Sequence, residues 1–233
     1  MAIVYNTSVV RSGLVTYLDA ANMKSYPGSG TTWTNLINST ETATLINGVN
    51  YSTNNLGELI FDGVDDRGTF TSPVSASSPQ TYEVWAKATR SNGDRNFGYL
   101  LHNNSVGNSL GAAYMAITYS GDSNPIGIIH AAFNGAWSTM GTGVIGSVSI
   151  PRHIVLTWDG STQRVYVDGE LKNSQALTTT PANFSTTTSI GDWRAGTFRP
   201  IIGSVYSIKI YNRALMENEI QQNYQATRTR YGV

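Results

Sequence analysis

Three aspartates fall within five positions in FDGVDDR, residues 61–67: Asp62, Asp65 and Asp66. Carboxylates at this density could form a catalytic pair, but positions 62, 65 and 66 are too irregularly spaced to share one strand face, which leaves two kinds of chemistry. Hard oxygen ligands for calcium are one, although the EF-hand spacing, with acidic or amide residues at alternating positions before a glycine, is not met. Turn chemistry is the other: Gly63 takes positive φ and the aspartates accept hydrogen bonds from nearby backbone N–H groups. Both readings use the same three residues, and no cofactor beyond calcium is suggested. The histidines, His102, His130 and His153, are isolated and lack zinc spacing, which predicts structural rather than ligating roles. GTGVIG (141–146) lacks the Lys-Ser/Thr ending of a phosphate loop. Trp137 in NGAWST and Trp193 in GDWRAG sit among polar turn residues, where an indole can stack on the apolar face of a sugar ring. They are the candidate carbohydrate-binding residues. Arg194 and Arg199 near Trp193, and Arg228 and Arg230 near the C-terminus, are expected to be solvated.

The elements that must position these residues are mostly strands. TYEVWAK (81–87) alternates, with Tyr82, Val84 and Ala86 on one face and Glu83, Trp85 and Lys87 on the other. RHIVLTW (152–158), QRVYVD (163–168) and IIGSVYSIKIYN (201–212) have strand composition, as do AAYMAITY (112–119) and IGIIHAAF (126–133) around a turn. Asp168-Gly169 between two strands predicts a type I′ hairpin, which needs positive φ at both positions. Ile154, Leu156, Val165, Val167, Ile208 and Ile210 are the expected core, and Trp85 and Trp158 are expected to pack within it or just behind it. One helix is expected within 213–228, with Met216, Ile220 and Tyr224 as its apolar stripe and Glu217, Gln221 and Gln225 facing solvent. PGSGTTW (27–33) and TTTPANFSTTT (178–188) have loop composition. The pattern predicts an all-β, two-sheet antiparallel jelly-roll sandwich with one short C-terminal helix. It forms a single domain over 1–233, with an N-terminal arm at 1–12 and a C-terminal tail at 227–233.

Composition narrows the function classes. Fifteen basic residues balance fifteen acidic ones, so the basic footprint of a nucleic-acid binder is missing. Charged residues make up 13% of the chain, about half the ordinary share, leaving a Ser/Thr/Asn/Gly surface of the kind found in assemblies. There is no cysteine, hence no disulfide or thiolate metal site. No apolar run reaches membrane-spanning length and no signal-peptide pattern opens the chain, so a complete, soluble product that engages no membrane is expected.

Four segments in order, GLVTYLDAANMKSYPGSGTTWTNL, LIFDGVDDRGTF, HIVLTWDGSTQRVYVDGEL and GSVYSIKIYNRALMENEIQQNY, resemble the laminin-G-like, concanavalin A-like jelly-roll family. The resemblance runs from about residue 13 to residue 226 and implies a sandwich of two antiparallel sheets. Relatives of this kind sometimes bind calcium on a rim loop, with ligands from separate loops that have no residue-by-residue match here. Glucanases of the superfold carry a Glu-x-Asp-x-Glu strand motif, in which alternate residues face one cleft. This chain has none; its closest echo, ENE at 217–219, lies in the expected helix. No enzymatic activity is therefore expected. YLDAANMKSYPGSGTTW together with IYNRALMENEIQQNYQATRTRYG is also similar to stand-alone domains in structural proteins of tailed bacteriophages. That resemblance implies a non-catalytic virion subunit, such as a capsid decoration protein, assembled in the host cytoplasm. Phage capsid or other virion proteins would be its partners, and a homo-oligomer, a trimer by preference, its state. A lectin-like carbohydrate-binding module directed at host or environmental glycans is the alternative.

Overall fold

The structure, a computed structural model, describes residues 8–75, 77–91, 97–104, 110–119, 126–135, 140–147, 150–178, 186–192 and 200–233. Two eight-stranded antiparallel sheets face each other. The first runs β14 (Glu170–Ala176), β13 (Thr162–Val167), β12 (Arg152–Trp158), β7 (Gln80–Ser91), β16 (Ile201–Tyr211), β5 (Glu58–Asp62) and β4 (Asn50–Ser52). Here β1 (Leu14–Asp19) shares an edge of β16 with β5, pairing with the half that ends at Tyr211. The second runs β11 (Met140–Ser147), β10 (Ile126–Gly135), β9 (Leu110–Tyr119), β8 (Phe97–Asn104), β15 (Thr187–Ile190), β6 (Arg67–Thr71), β3 (Thr42–Ile46) and β2 (Thr32–Thr34).

The core follows from strand alternation. Tyr82, Val84, Ala86 and Ala88 of β7 point between the sheets with Ile154, Leu156, Val165, Val167, Ile208 and Ile210, all buried as expected. Opposite them stand Trp33, Leu45, Phe70, Leu101, Met115 and Phe133 from the second sheet. Trp33 corrects the reading of PGSGTTW as loop: its last two residues open β2, and the indole is fully buried. Asp168 and Gly169 take φ of 52° and 82°, the hairpin geometry that their sequence demands. Gly191 is required by close approach, because a Cβ there would lie 2.5 Å from the Phe61 ring.

The other face of the first sheet is covered too. Helix α1 (Glu217–Thr227) and a short 3-10 turn at Arg228–Tyr231 lie across it. Ile220 packs in a cluster with Val10, Leu14, Val155, Tyr166 and Tyr211. Trp85 stacks on Tyr231, with ring centroids 4.1 Å apart, and its Nε1 donates to Thr227 Oγ1 at 2.9 Å. The helix is shorter than the sequence predicts, and its buried stripe differs. Met216 is the N-cap and 67% exposed, while the buried positions are Ile220 and Asn223. Glu219 closes the first turn by accepting from the Met216 N–H, and its carboxylate grips Arg213 through two 2.7 Å hydrogen bonds.

Neither terminus behaves as a free segment where it is described. Residues 8–12 fold against α1: Val10 N donates to Asn223 Oδ1, and Gln222 donates to the Ser8 carbonyl. Arg230, expected to be solvated, instead donates to Asp19 at 2.7 Å and to the carbonyls of Asn55 and Gly57. No helix among the described residues is long and apolar enough to cross a membrane.

Candidate functional site

Three places gather polar or ionisable side chains. The deepest lies between the first sheet and α1. Glu83 is buried on the outer face of β7, with Lys209 Nζ 2.6 Å from Oε1 and Asn223 Nδ2 2.6 Å from Oε2. His153 Nε2 is 3.1 Å from the same Oε1, close enough for an ion pair though off the hydrogen-bonding angle. Burial alone would raise the Glu83 pKa; the charges of Lys209 and His153 outweigh it and bring the carboxyl down to about 2. All four side chains are buried, and through Asn223, which also accepts from Val10 N, the carboxyl ties strand, helix and N-terminal segment together. His153 and His102 are both buried, and the side chain of His130 lies outside the described residues.

The second place is the aspartate turn. β5 belongs to one sheet and β6 to the other, so residues 63–66 carry the chain across the sandwich at its rim. Gly63 takes φ 78°; Asp62 Oδ1 accepts from Val64 N at 2.8 Å, and Asp66 Oδ2 accepts from Asp62 N at 3.1 Å. The turn chemistry therefore holds for two of the three aspartates. Asp65 takes no part in it: its carboxylate is exposed and accepts no hydrogen bond from a described residue, while its backbone carbonyl receives Asn47 Nδ2 at 3.0 Å. The three side chains nonetheless converge, each placing one carboxylate oxygen within 4.8 Å of the others. Asp66 is buried, and its Oδ1 has no hydrogen-bond partner among the described residues. Burial raises the Asp66 pKa, and the negative charges of Asp62 and Asp65 add to the rise against the opposing hydrogen bond from the Asp62 N–H.

The third place is a cleft of about 370 Å³ where the two sheets part. Thr16 and Leu18 of β1 form one wall; Thr42 and Ala43 of β3 and Phe70 and Thr71 of β6 form the other. Glu41 stands at the mouth, held by Asn35 Nδ2 at 3.0 Å on Oε2 and by Asn38 Nδ2 at 3.1 Å on Oε1. Asn35 is itself fixed, accepting the N–H groups of Tyr17 and Ile37 and donating to the Val15 carbonyl. The result is an immobilised carboxylate and several threonine hydroxyls over an apolar floor. A further depression between the β13–β14 hairpin and α1 has its charges already joined, Arg152 to Asp168 at 2.6 Å and Lys172 to Glu170 at 2.7 Å.

Trp137, Trp193, Arg194 and Arg199 lie outside the described residues. The described strand ends next to the two tryptophans lie at opposite ends of the sandwich. Asp192 follows β15, whose last residue Ile190 pairs with Gly68 beside the aspartate turn. Gly135 pairs with Leu110 at the far end of β10. Sequence reasoning missed the cleft, because Thr16, Asn35, Glu41 and Phe70 come from separate segments with no common motif.

Two facing antiparallel sheets with a helix docked on one outer face define a lectin-like sandwich. The chain belongs to the Laminin_G_3 family of the concanavalin A-like lectin/glucanases superfamily, whose model matches residues 61–221. No curated protein matches it. Among solved structures it is similar to Trypanosoma rangeli sialidase in complex with 2,3-difluoro-KDN, at 21% identity and a TM-score of 0.70, covering 95% of this chain and 34% of that one. It is also similar to the binding domain of botulinum neurotoxin DC in complex with SialylT, at 11% identity and a TM-score of 0.66, covering 92% and 52%. A third likeness is to the binding domain of Paraclostridial Mosquitocidal Protein 1, at 15% identity and a TM-score of 0.67, covering 91% and 52%. The chain thus spans about a third to a half of the length of these proteins, and the likeness concerns the fold.

Proposed function

We propose that the chain is a non-catalytic, lectin-like recognition module whose glycan subsite is the cleft between β1, β3 and β6. The observation that carries this reading is the Glu41 carboxylate, pinned by two amides above an apolar floor in a cleft of about 370 Å³. A sugar offers vicinal hydroxyls, which a fixed carboxylate accepts in pairs, and an apolar C–H face, which suits the Leu18 and Phe70 side. Sandwich proteins of similar fold solved with 2,3-difluoro-KDN or with SialylT support a glycan as ligand. Against catalysis stands the lack, among the described cleft residues, of a second carboxylate opposite Glu41, which glycoside hydrolysis requires. A glycan array is the test. Saturable binding to one glycan class, weakened about tenfold or more in Glu41→Ala, supports the reading; no binding, or binding unchanged in that variant, removes the cleft from it. Trp137→Ala and Trp193→Ala in the same screen test the two indoles as stacking platforms.

A second reading concerns setting. The similarity of YLDAANMKSYPGSGTTW and IYNRALMENEIQQNYQATRTRYG to tailed-phage structural proteins favours a module carried on a virion, docked to capsid or other particle proteins as a homo-oligomer, with a trimer suited to a three-fold position. The charge-poor surface fits that setting. Mass spectrometry of purified particles tests it: the chain at stoichiometric abundance supports a virion subunit, and its absence from particles excludes one.

A further inference from the structure

Resting on the glycan reading above, we infer that the cleft between β1, β3 and β6 takes an uncharged sugar and rejects an acidic one, and that Glu41 sets this choice. Among the described residues that line the cleft, Glu41 is the one ionisable side chain, and none is Lys, Arg or His. Elsewhere in the molecule Glu58, Glu83 and Glu219 each face a Lys or an Arg. Glu41 instead meets two neutral amides, Asn35 Nδ2 on Oε2 and Asn38 Nδ2 on Oε1, so its charge is held in place without being cancelled.

The backbone fixes the carboxylate as well. Glu41 N donates to the Asn38 carbonyl, and the Glu41 carbonyl accepts from Asn35 N, each at 3.0 Å. Asn35 is buried and its amide is fully used: Oδ1 accepts from Tyr17 N and Ile37 N, and Nδ2 donates to the Val15 carbonyl and to Glu41. It therefore positions Glu41 and has no side-chain N–H left for a ligand. Each Glu41 oxygen keeps lone-pair capacity beyond the amide it meets, and a carboxylate can only accept. A neutral sugar matches this with two hydroxyl donors on adjacent carbons and a C–H face toward Leu18 and Phe70. A sugar acid brings a second carboxylate into the same cleft. The two anions repel there, and the hydroxyls of Thr42 and Thr71 carry no charge to offset the repulsion. Like charges brought face to face in this way suppress the wrong partner. Because Glu41 is exposed, the repulsion is one that salt screens.

The test uses the full chain on an array that presents each oligosaccharide in two forms, with and without a terminal sialic acid. At low salt the strongest neutral form is expected to bind about tenfold or more tightly than its sialylated counterpart. Two changes should bring that ratio to within about threefold. Glu41→Gln keeps the length of the side chain and one acceptor oxygen while removing the charge, and a thermal melt checks that the variant is folded. The other is about 0.5 M NaCl, where the screening length falls to about 4 Å. The salt arm reads the unmodified chain, so it decides the matter even where Glu41→Gln binds too weakly to compare. A sialylated form bound as tightly as its neutral counterpart, or more tightly, overturns the inference and leaves the glycan reading standing. So does a preference that survives in folded Glu41→Gln or at high salt, since shape rather than the Glu41 charge would then exclude the acid. No saturable binding of either form across the array overturns the glycan reading itself, and the inference falls with it.

Discussion

Glu83 and Asp66 are both buried carboxylates, and they sit in opposite electrostatic surroundings. Around Glu83 the protein has placed Lys209, His153 and Asn223, and the carboxyl is held ionised down to a pKa of about 2. Around Asp66 it has placed Asp62 and Asp65, and the carboxyl is pushed the other way. The Glu83 cluster is closed off by α1, whereas the Asp66 cluster opens to solvent through its two exposed members. The contrast teaches how to sort ionisable groups in a fold shared by many functions. A buried acid whose charge is balanced by a cation stabilises the fold once ionised, whereas one set among like charges, with its pKa raised, opposes the fold once ionised.

The largest effect that can break this contrast is expected at Lys209. Lys209→Met strips the buried Glu83 of its nearest cation and should cost about 3–5 kcal/mol in urea unfolding, with part recovered when Glu83→Gln is added. Acid should act on the same cluster. The folded pKa of Glu83 lies below its unfolded value, so its stabilisation is fully present above about pH 4.5 and is lost as pH falls toward 2. A stability–pH profile should therefore steepen in that window in the unmodified chain and flatten in the double variant; identical profiles would contradict the assignment.

Smaller effects sharpen the comparison. Arg230→Ala removes the cation from Asp19 and two charge-assisted bonds to the Asn55 and Gly57 carbonyls, and about 1–3 kcal/mol should be lost. That result would place Asp19 with the balanced acids although it lies near the rim. Smallest of all, Asp65→Asn should change stability by less than about 0.5 kcal/mol, because its carboxylate is exposed and accepts no hydrogen bond from a described residue.

How far the sequence announces these features depends on how local they are. The alternation of TYEVWAK tells which side of β7 faces the core and which faces the helix, because strand geometry has a period of two regardless of context. Asp168-Gly169 is equally local, since its dihedral demand is met within two residues. The helix was harder to read. Its buried residues are Ile220 and Asn223, and a polar Asn counts against burial in any periodicity argument. Asn223 is buried because Val10, Tyr211 and Glu83, far away in the chain, each meet one of its polar atoms. Arg230 escapes a local reading for the same reason: its partners are Asp19, Asn55 and Gly57. The aspartate turn was visible as a cluster, but the property that distinguishes it, the unpartnered Oδ1 of Asp66, exists only once β3, β5 and β6 are assembled. The cleft was not visible at all. Its walls take Leu18 from one sheet and Ala43 and Phe70 from the other, with Glu41 from the segment just before β3, and their separation depends on where the sheets diverge.

The recognition reading is tested most directly by mapping the bound glycan onto the chain. Amide chemical shifts of the isotopically labelled protein can be followed while the strongest array ligand is titrated in. The expected result is a saturable set of shifts centred on Thr16, Asn35, Glu41, Thr42 and Thr71, abolished in Glu41→Ala while the rest of the spectrum stays unchanged. Shifts centred elsewhere on the sandwich, or the lack of any glycan that produces saturable shifts, would contradict the account.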